Sequence, residues 1–272
     1  MKIGIVGGGY VGQAIASHWK QQEHQVAITT RRSERITFLQ TFANQVCFLG
    51  SQSLNSFIAE QETLLICVAP GPCSDYASTY LHTARQAVEQ AARCPALQQI
   101  FYTSSTSVYG DHTGAWVDEM TPIMPTHENA KILYETEQTL LGCASNHLNV
   151  CIMRLGEIYG PGREIENRLR RMQHQSFAGS GDSYTNLIHL TDIVLALDFA
   201  LRHSLKGIYN LCSDFHIPRQ LFYERLCQEK QIPHIKWDPA RSNLHHGNRR
   251  VSNQKIKATG FAFTHPTYTY RE

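Results

Sequence analysis

Three clusters of residues in this chain have the types and spacing to do chemistry. The first is Gly7-Gly8-Gly9-Tyr10-Val11-Gly12, in which Gly7, Gly9 and Gly12 form a G-x-G-x-x-G spacing directly after the apolar residues Ile3, Ile5 and Val6. At a dinucleotide site Gly7 permits the tight turn, Gly9 leaves room for a pyrophosphate against the backbone, and Gly12 lets the next helix pack close. That helix would open at Tyr10 and Val11, turning backbone N–H groups and its positive dipole end toward the phosphates. The same spacing also occurs in ordinary turns, but here it opens an amphipathic run through Val11, Ile15, Ala16 and Trp19. The second cluster is Thr30-Arg31-Arg32, about twenty residues further on, where an NAD site places a carboxylate for the ribose 2′-hydroxyl. Two guanidinium groups stand there instead, and their fork geometry suits the 2′-phosphate of NADP, with NAD the less favoured cofactor. The alternative for these arginines is a solvated helix start. The third cluster is the run Tyr102-Thr-Ser-Ser-Thr-Ser-Val-Tyr-Gly110, whose hydroxyls can hydrogen-bond a carbonyl or hydroxyl substrate beside a nicotinamide.

These clusters need a frame that brings them to one place. The N-terminal half alternates short apolar runs with helical patterns, which predicts an α/β chain built on a parallel sheet covered on both faces. The expected strands are Lys2–Val6, Gln25–Thr30, Val46–Leu49, Thr63–Ala69, Gln98–Thr103 and Val150–Leu155, with helices beginning near Val11, Ser33, Leu54, Ser74 and Glu128. Right-handed crossovers put the strand carboxyl ends on one edge, so Gly7, Thr30, Ala69 with Pro70, Ser104 and Leu155 should converge there. After Tyr159-Gly-Pro-Gly162 the pattern breaks into scattered pieces: a helix over Ile165–Gln175, a strand Tyr184–Ile188, a helix Thr191–Arg202, a strand Gly207–Leu211 and a helix Pro218–Lys230. A last short helix is expected after a Ser252 cap, ending at Gly260. These pieces are expected to fold over the strand ends and complete a cleft.

The 272 residues, 42% of them hydrophobic, can bury a large core as one extended domain or as a large domain with a small one attached. The net charge is +2 and the basic residues are scattered, with only short pairs such as Arg31-Arg32, Arg170-Arg171 and Arg249-Arg250. Nucleic acid and anionic membrane therefore drop out as expected partners. Met1 leads straight into the first strand, and the longest apolar run, Leu64 to Ala69, is far too short for a bilayer, so a cytoplasmic protein is expected. The eight cysteines include no C-x-x-C pair and read as reduced core residues. Fourteen histidines show no metal-ligand spacing, and His245-His246 reads as solvated loop, so no metal is expected.

Beyond the glycine turn, Ser-Ser-x-x-Val-Tyr-Gly stands at Ser104 to Gly110, and Lys131-Ile-Leu-Tyr-Glu135 opens a long helix. Arg154-Leu-Gly-Glu-Ile-Tyr-Gly-Pro-Gly162, Ile188-His-Leu-Thr-Asp192 and Arg250-Val-Ser-Asn253 follow in order. Over nearly its whole length the chain resembles the extended short-chain dehydrogenase/reductases, the NAD-dependent epimerase/dehydratase family. The resemblance implies a Rossmann-type doubly wound parallel sheet with a small C-terminal substrate-binding domain. The dinucleotide-binding domain would span residues 1–160, with a strand and helix returning from 185–212, and residues 161–272 would mainly bind substrate. It also implies Ser105 as the hydroxyl catalyst and Lys131, four residues before Glu135, as the ammonium that holds the nicotinamide ribose.

Two departures accompany the likeness. Val6 occupies a position where the extended members carry the first glycine of G-x-x-G-x-x-G, and His127 stands where the family expects its acid/base tyrosine. Together they resemble the atypical branch, which keeps the fold and dinucleotide site and varies the active-site tyrosine. An imidazole titrates near pH ~6.5 unaided, so His127 can carry the proton; the alternative is an exposed loop histidine after Pro125-Thr126. Tyr109 and Tyr134 are fallback acids for which packing roles are favoured. On the substrate side Arg154 would clamp an anion or brace its loop, and Arg163 would meet a diphosphate. His189 and Asp192 read as loop anchor and helix cap, and Trp116 with Asp118 and Glu119 as a lid. Ile132, Leu133, Leu140 and Leu141 would support a homodimer or pack on the sheet. The leading expectation is an NADP(H)-dependent oxidoreductase or epimerase acting on a sugar nucleotide or a related small carbonyl or alcohol. The alternative is a catalytically impaired NADP(H)-binding sensor or interaction protein.

Overall fold

A computed structural model describes residues 1–71, 75–125, 127–172, 175–241 and 247–270. Ser74, Thr126 and His245-His246, named above, lie outside the described residues, as do one of the eight cysteines, Cys73, and positions 173 and 174 of the expected Ile165–Gln175 helix. The chain divides into two compact units, the first made of Met1–Ser105, Lys131–Arg154 and Ile193–Tyr209, the second of Thr106–Ala130, Leu155–Asp192 and Asn210–Glu272.

The first unit carries the sheet. Its seven strands run in the order Gly207–Leu211, Asn149–Leu155, Gln99–Ser105, Thr63–Ile66, Lys2–Val6, Gln25–Thr30, Gln45–Phe48. The Lys2–Val6 strand pairs in parallel with Gln25–Thr30 on one side and Thr63–Ile66 on the other, with Ile5 opposite Ile28 and Leu65. The order reverses between those two neighbours, so a crevice opens beyond the carboxyl ends of Lys2–Val6 and Thr63–Ile66, the place where open α/β sheets bind ligands. Nearly continuous burial along the strands, such as Ile3, Ile5, Leu64, Leu65, Ile100 and Phe101 at 0% exposure, marks a sheet covered on both faces. One core face joins Val6, Phe57, Ile66, Ile100, Leu140 and Ile152. Leu140 is fully buried there and Leu141 packs against it, so these helix residues serve the sheet.

The second unit is held by its own core, in which Tyr159, Leu169, Leu187, Phe222, Tyr223 and Leu226 are buried together. Three short parallel pairs run through it: Glu157–Tyr159 with Leu187–His189, Ser176–Ala178 with Lys236–Asp238, and Trp116–Val117 with Arg250–Val251. None of the partners at Trp116, Ser176 or Lys236 is an expected strand, because two or three residues are too few to show a period.

Several boundaries shift for local reasons. The Thr63 strand stops at Ile66, where Cys67 N–H still donates to Val6 O but the chain then turns out of the ladder. The helix expected at Ser33 starts as a 3-10 turn, Ser33–Arg35, before Ile36–Leu39. The expected strand at Tyr184 shortens to Leu187–His189, Tyr184 making only an isolated bridge to Pro218. Ser252 is not the cap of the last helix, Gln254–Ala258: Asn253 holds that position and spends its amide on Cys212 O and Asp214 Oδ1 instead. Cys47, Cys67, Cys94, Cys151, Cys212 and Cys227 are buried. Among the described residues no group of three or more His, Cys, Asp or Glu side chains is placed to hold a metal ion, and no helix is long and apolar enough to cross a membrane.

Candidate functional site

The glycine turn occupies the crevice at the strand-order reversal. Gly7 has φ +117, which L side chains rarely adopt, and a Cβ there would stand 2.7 Å from Cys67 O. A Cβ on Gly12 would fall 2.0 Å from Gly7 O, so only glycine lets the helix start so close to the turn. Gly9 differs: its φ of −83 suits any residue and nothing lies within 4 Å of the Cβ position. Gly9 is also the N-cap of the Tyr10–Gln21 helix, which has no side-chain cap and no acidic residue in its first turn. Open space at the uncapped positive end of a helix fits a pyrophosphate. Ala69 and Pro70 follow the neighbouring strand, Ala69 exposed and Pro70 half-buried.

At the end of the second strand Thr30 Oγ1 donates to Arg32 O and accepts from Arg32 N–H, closing a small turn. Arg31 and Arg32 are exposed. Arg32 Nε lies 3.7 Å from Glu34 Oε1, a surface pair that solvent screens and an incoming phosphate can outcompete.

At the end of Gln99–Ser105 the pleat separates the two serines. Ser105 is half-exposed, whereas Ser104 points inward and donates to Glu137 Oε1 at 2.6 Å. Arg154, 1% exposed, turns a fork onto the same carboxylate, with Nε 3.0 Å from Oε1 and Nη2 2.7 Å from Oε2. Arg154 Nε and Nη2 are thus committed to Glu137 inside the fold. Glu137 escaped the sequence reading; its signal is a charge on the apolar stripe Ala130, Leu133, Leu140 of a helix, matched by a lone arginine in an apolar strand.

The model of the NAD dependent epimerase/dehydratase family matches residues 3–212. The chain belongs to that family. "Protein YeeZ" of Escherichia coli strain K12 is 26% identical over 97% of this chain and 96% of its own length. A functionally unknown conserved protein of Silicibacter pomeroyi has a structure with TM-score 0.80 and 25% identity, covering 99% of this chain and 95% of that one. UDP-glucuronic acid 4-epimerase of Bacillus cereus, in complex with UDP-glucuronic acid and NAD, superposes with TM-score 0.82 at 16% identity over 99% of this chain and 95% of its own.

Within this epimerase/dehydratase chain, the helix that should carry the lysine runs Glu128–Leu141. Its buried residues are Ala130, Leu133, Thr136, Glu137 and Leu140. Lys131 falls on the exposed flank, and Glu135 points outward to Arg85 at 3.0 Å. The glutamate that the fold buries thus stands six residues after Lys131, not four. His127, in the second unit, accepts at Nδ1 from Ala130 N–H at 3.2 Å and so caps this helix, which places its proton on Nε2. Arg163 is exposed in the loop where its N–H donates to Gly160 O.

Other residues singled out in the sequence are bonded into the second unit. Tyr109 is fully buried and donates to Asn210 Oδ1 at 2.8 Å, a packing role. The expected lid is tied down: Trp116–Val117 is a strand, Asp118 Oδ1 accepts from Met120 N–H, and Glu119 Oε1 accepts from Asn210 N–H at 2.7 Å. Burial pushes the Glu119 carboxyl up. Asp192, 0% exposed, accepts from Thr264 N–H, Thr264 Oγ1 and His265 N–H, so it anchors the C-terminal segment rather than capping its own helix. His189 stacks on His265 with ring centroids 3.7 Å apart.

Proposed function

We propose that this family member is an NADP(H)-dependent oxidoreductase or epimerase acting on a sugar nucleotide or a related small carbonyl or alcohol. The observation that carries the reading is the glycine cradle: open at Gly9, closed to any side chain at Gly7 and Gly12, and aimed along an uncapped helix. When bound, a nicotinamide dinucleotide supplies reversible hydride exchange with a carbinol carbon. The backbone of Gly9 to Gly12 would hold the pyrophosphate, and Ala69 and Pro70 would bound the crevice. Thr30, Arg31 and Arg32 would recognise the adenosine 2′-phosphate. Ser105 would hydrogen-bond the reacting oxygen, and His127 would take or give the proton at Nε2 once Nδ1 carries its own proton and releases Ala130 N–H. Lys131 would orient the nicotinamide ribose. Arg163 would meet the diphosphate of a sugar nucleotide, the substrate class bound by the Bacillus cereus structure. Residues 1–160, with the return of 185–212, would hold the cofactor, and residues 161–272 mainly the substrate.

Fluorescence titration with NADPH and NADH tests the cofactor. The parent is expected to prefer NADPH, and Arg31→Ala to lose about tenfold or more in NADPH affinity with NADH little changed. A parent that prefers NADH removes the assignment to NADP. For the chemistry, a panel of sugar nucleotides and small ketones is followed by product analysis and NADPH oxidation. His127→Ala is expected to lower turnover by about 100-fold. Unaltered turnover in that variant eliminates His127.

A second reading is binding without turnover. It draws support from the phase of the Glu128–Leu141 helix, which leaves Lys131 on the exposed flank. It predicts saturable NADPH binding and no product from any member of the panel.

A further inference from the structure

The first two residues of the glycine turn have their polar backbone groups tied from three directions. Gly7 N–H donates to Thr29 Oγ1 at 3.1 Å, and Gly8 N–H donates to Thr29 O at 3.1 Å. Cys67 Sγ donates to Gly7 O at 3.2 Å, and Gln13 Nε2 donates to Gly8 O at 2.8 Å. Thr29 comes from the second strand, Cys67 from the residue after the fourth strand in sequence, and Gln13 from the helix that follows the turn. Thr29 is 2% and Cys67 8% exposed, so the fold fixes where both side chains stand. Burial pushes the Cys67 thiol up to about 12, which keeps it protonated and able to donate at neutral pH.

A peptide turn with φ +117 at its first residue has other shapes open to it unless something holds it. Ordering such a turn during binding would cost affinity, and ordering it in advance removes that cost. The clamp also faces the turn's own carbonyl oxygens away from an approaching anion, because Gly7 O and Gly8 O are both engaged by donors.

We propose that Thr29, Cys67 and Gln13 are positioning residues that hold the Gly7-Gly8 turn in its pyrophosphate-binding shape before the dinucleotide arrives. The proposal rests on the reading of this turn as the dinucleotide site, but not on which dinucleotide is preferred. The pyrophosphate is common to NADPH and NADH, so loss of the clamp weakens both by the same factor.

The test is fluorescence titration of purified variants with NADPH and with NADH, beside a thermal melt of each. Thr29→Val keeps the shape and deletes the acceptor of Gly7 N–H; it is expected to bind both dinucleotides about tenfold more weakly. Thr29→Ser restores the acceptor and is expected to bind like the parent. Gln13→Leu changes a half-buried position on a helix and removes one side-chain bond, so it is a second probe if Thr29→Val misfolds; a loss of about threefold for both ligands is expected. A purely structural role would lower the melting temperature and leave the Kd of the folded protein at the parental value, and that result overturns the proposal. A loss confined to NADPH also overturns it, because that pattern belongs to the adenosine phosphate. A parent that prefers NADH leaves the clamp standing and removes only the NADP assignment, whereas a parent that binds neither dinucleotide removes both.

Discussion

Gly9→Ala is expected to fold and melt like the parent while binding NADPH on the order of 100-fold more weakly. The two halves of that result come from different atoms. In the unliganded chain the new methyl group meets nothing within 4 Å, and the φ of −83 and ψ of −162 at this residue are ordinary for alanine. Removing a glycine also narrows the unfolded ensemble, so stability holds or rises slightly. With a dinucleotide bound, the methyl group stands where the pyrophosphate must approach the first turn of the Tyr10–Gln21 helix. Gly12→Ala provides the contrast: its methyl group would sit 2.0 Å from Gly7 O and 3.1 Å from Cys67 Sγ, so backbone must move in the free protein as well. That variant should lose both melting temperature and affinity. NADPH titration by fluorescence and a thermal melt on each variant separate the cases. If Gly9→Ala keeps parental affinity, the empty space at Gly9 is not a pyrophosphate seat.

The glycine turn was legible because glycine alone solves its two problems, the positive φ at Gly7 and the contact of Gly12 with Gly7 O. The parallel sheet was legible because strands buried on both faces read as short apolar runs, as Lys2–Val6 and Gln25–Thr30 do. The pair formed by Trp116–Val117 and Arg250–Val251 was not, since two-residue strands separated by more than a hundred residues leave no periodic trace. Glu137 was not legible in the helix after Pro125, where the resemblance rests on Lys131 and Glu135. Two residues on a helix differ by about 200° in direction, and Glu137 is buried while Glu135 meets Arg85 at the surface. His127 was legible as a departure from the family's pattern but not as a cap, because the bond from Ala130 N–H depends on a side-chain rotamer. Thr29 stands two residues before Arg31, and its hydroxyl reads simply as strand until its bond from Gly7 N–H is seen.

Glu137→Ala is expected to be the most damaging single substitution away from the glycine turn. It leaves the Arg154 guanidinium, 1% exposed, without the carboxylate that takes its Nε and Nη2, and it strands the Ser104 hydroxyl beside it. Breaking a buried pair from one side costs about 3–5 kcal/mol, which in a chain of this size lowers the melting temperature by roughly 10 °C. The mirror substitution, Arg154→Met, leaves the Glu137 carboxylate without the guanidinium fork and should also lower the melting temperature. The double variant Glu137→Leu with Arg154→Met replaces the pair by apolar groups and should recover most of the loss. Thermal melts of the three variants at neutral pH test the whole argument. A double variant no more stable than either single variant would mean that packing, not the buried charge, ties the Glu128–Leu141 helix to the strand ends beside Ser105.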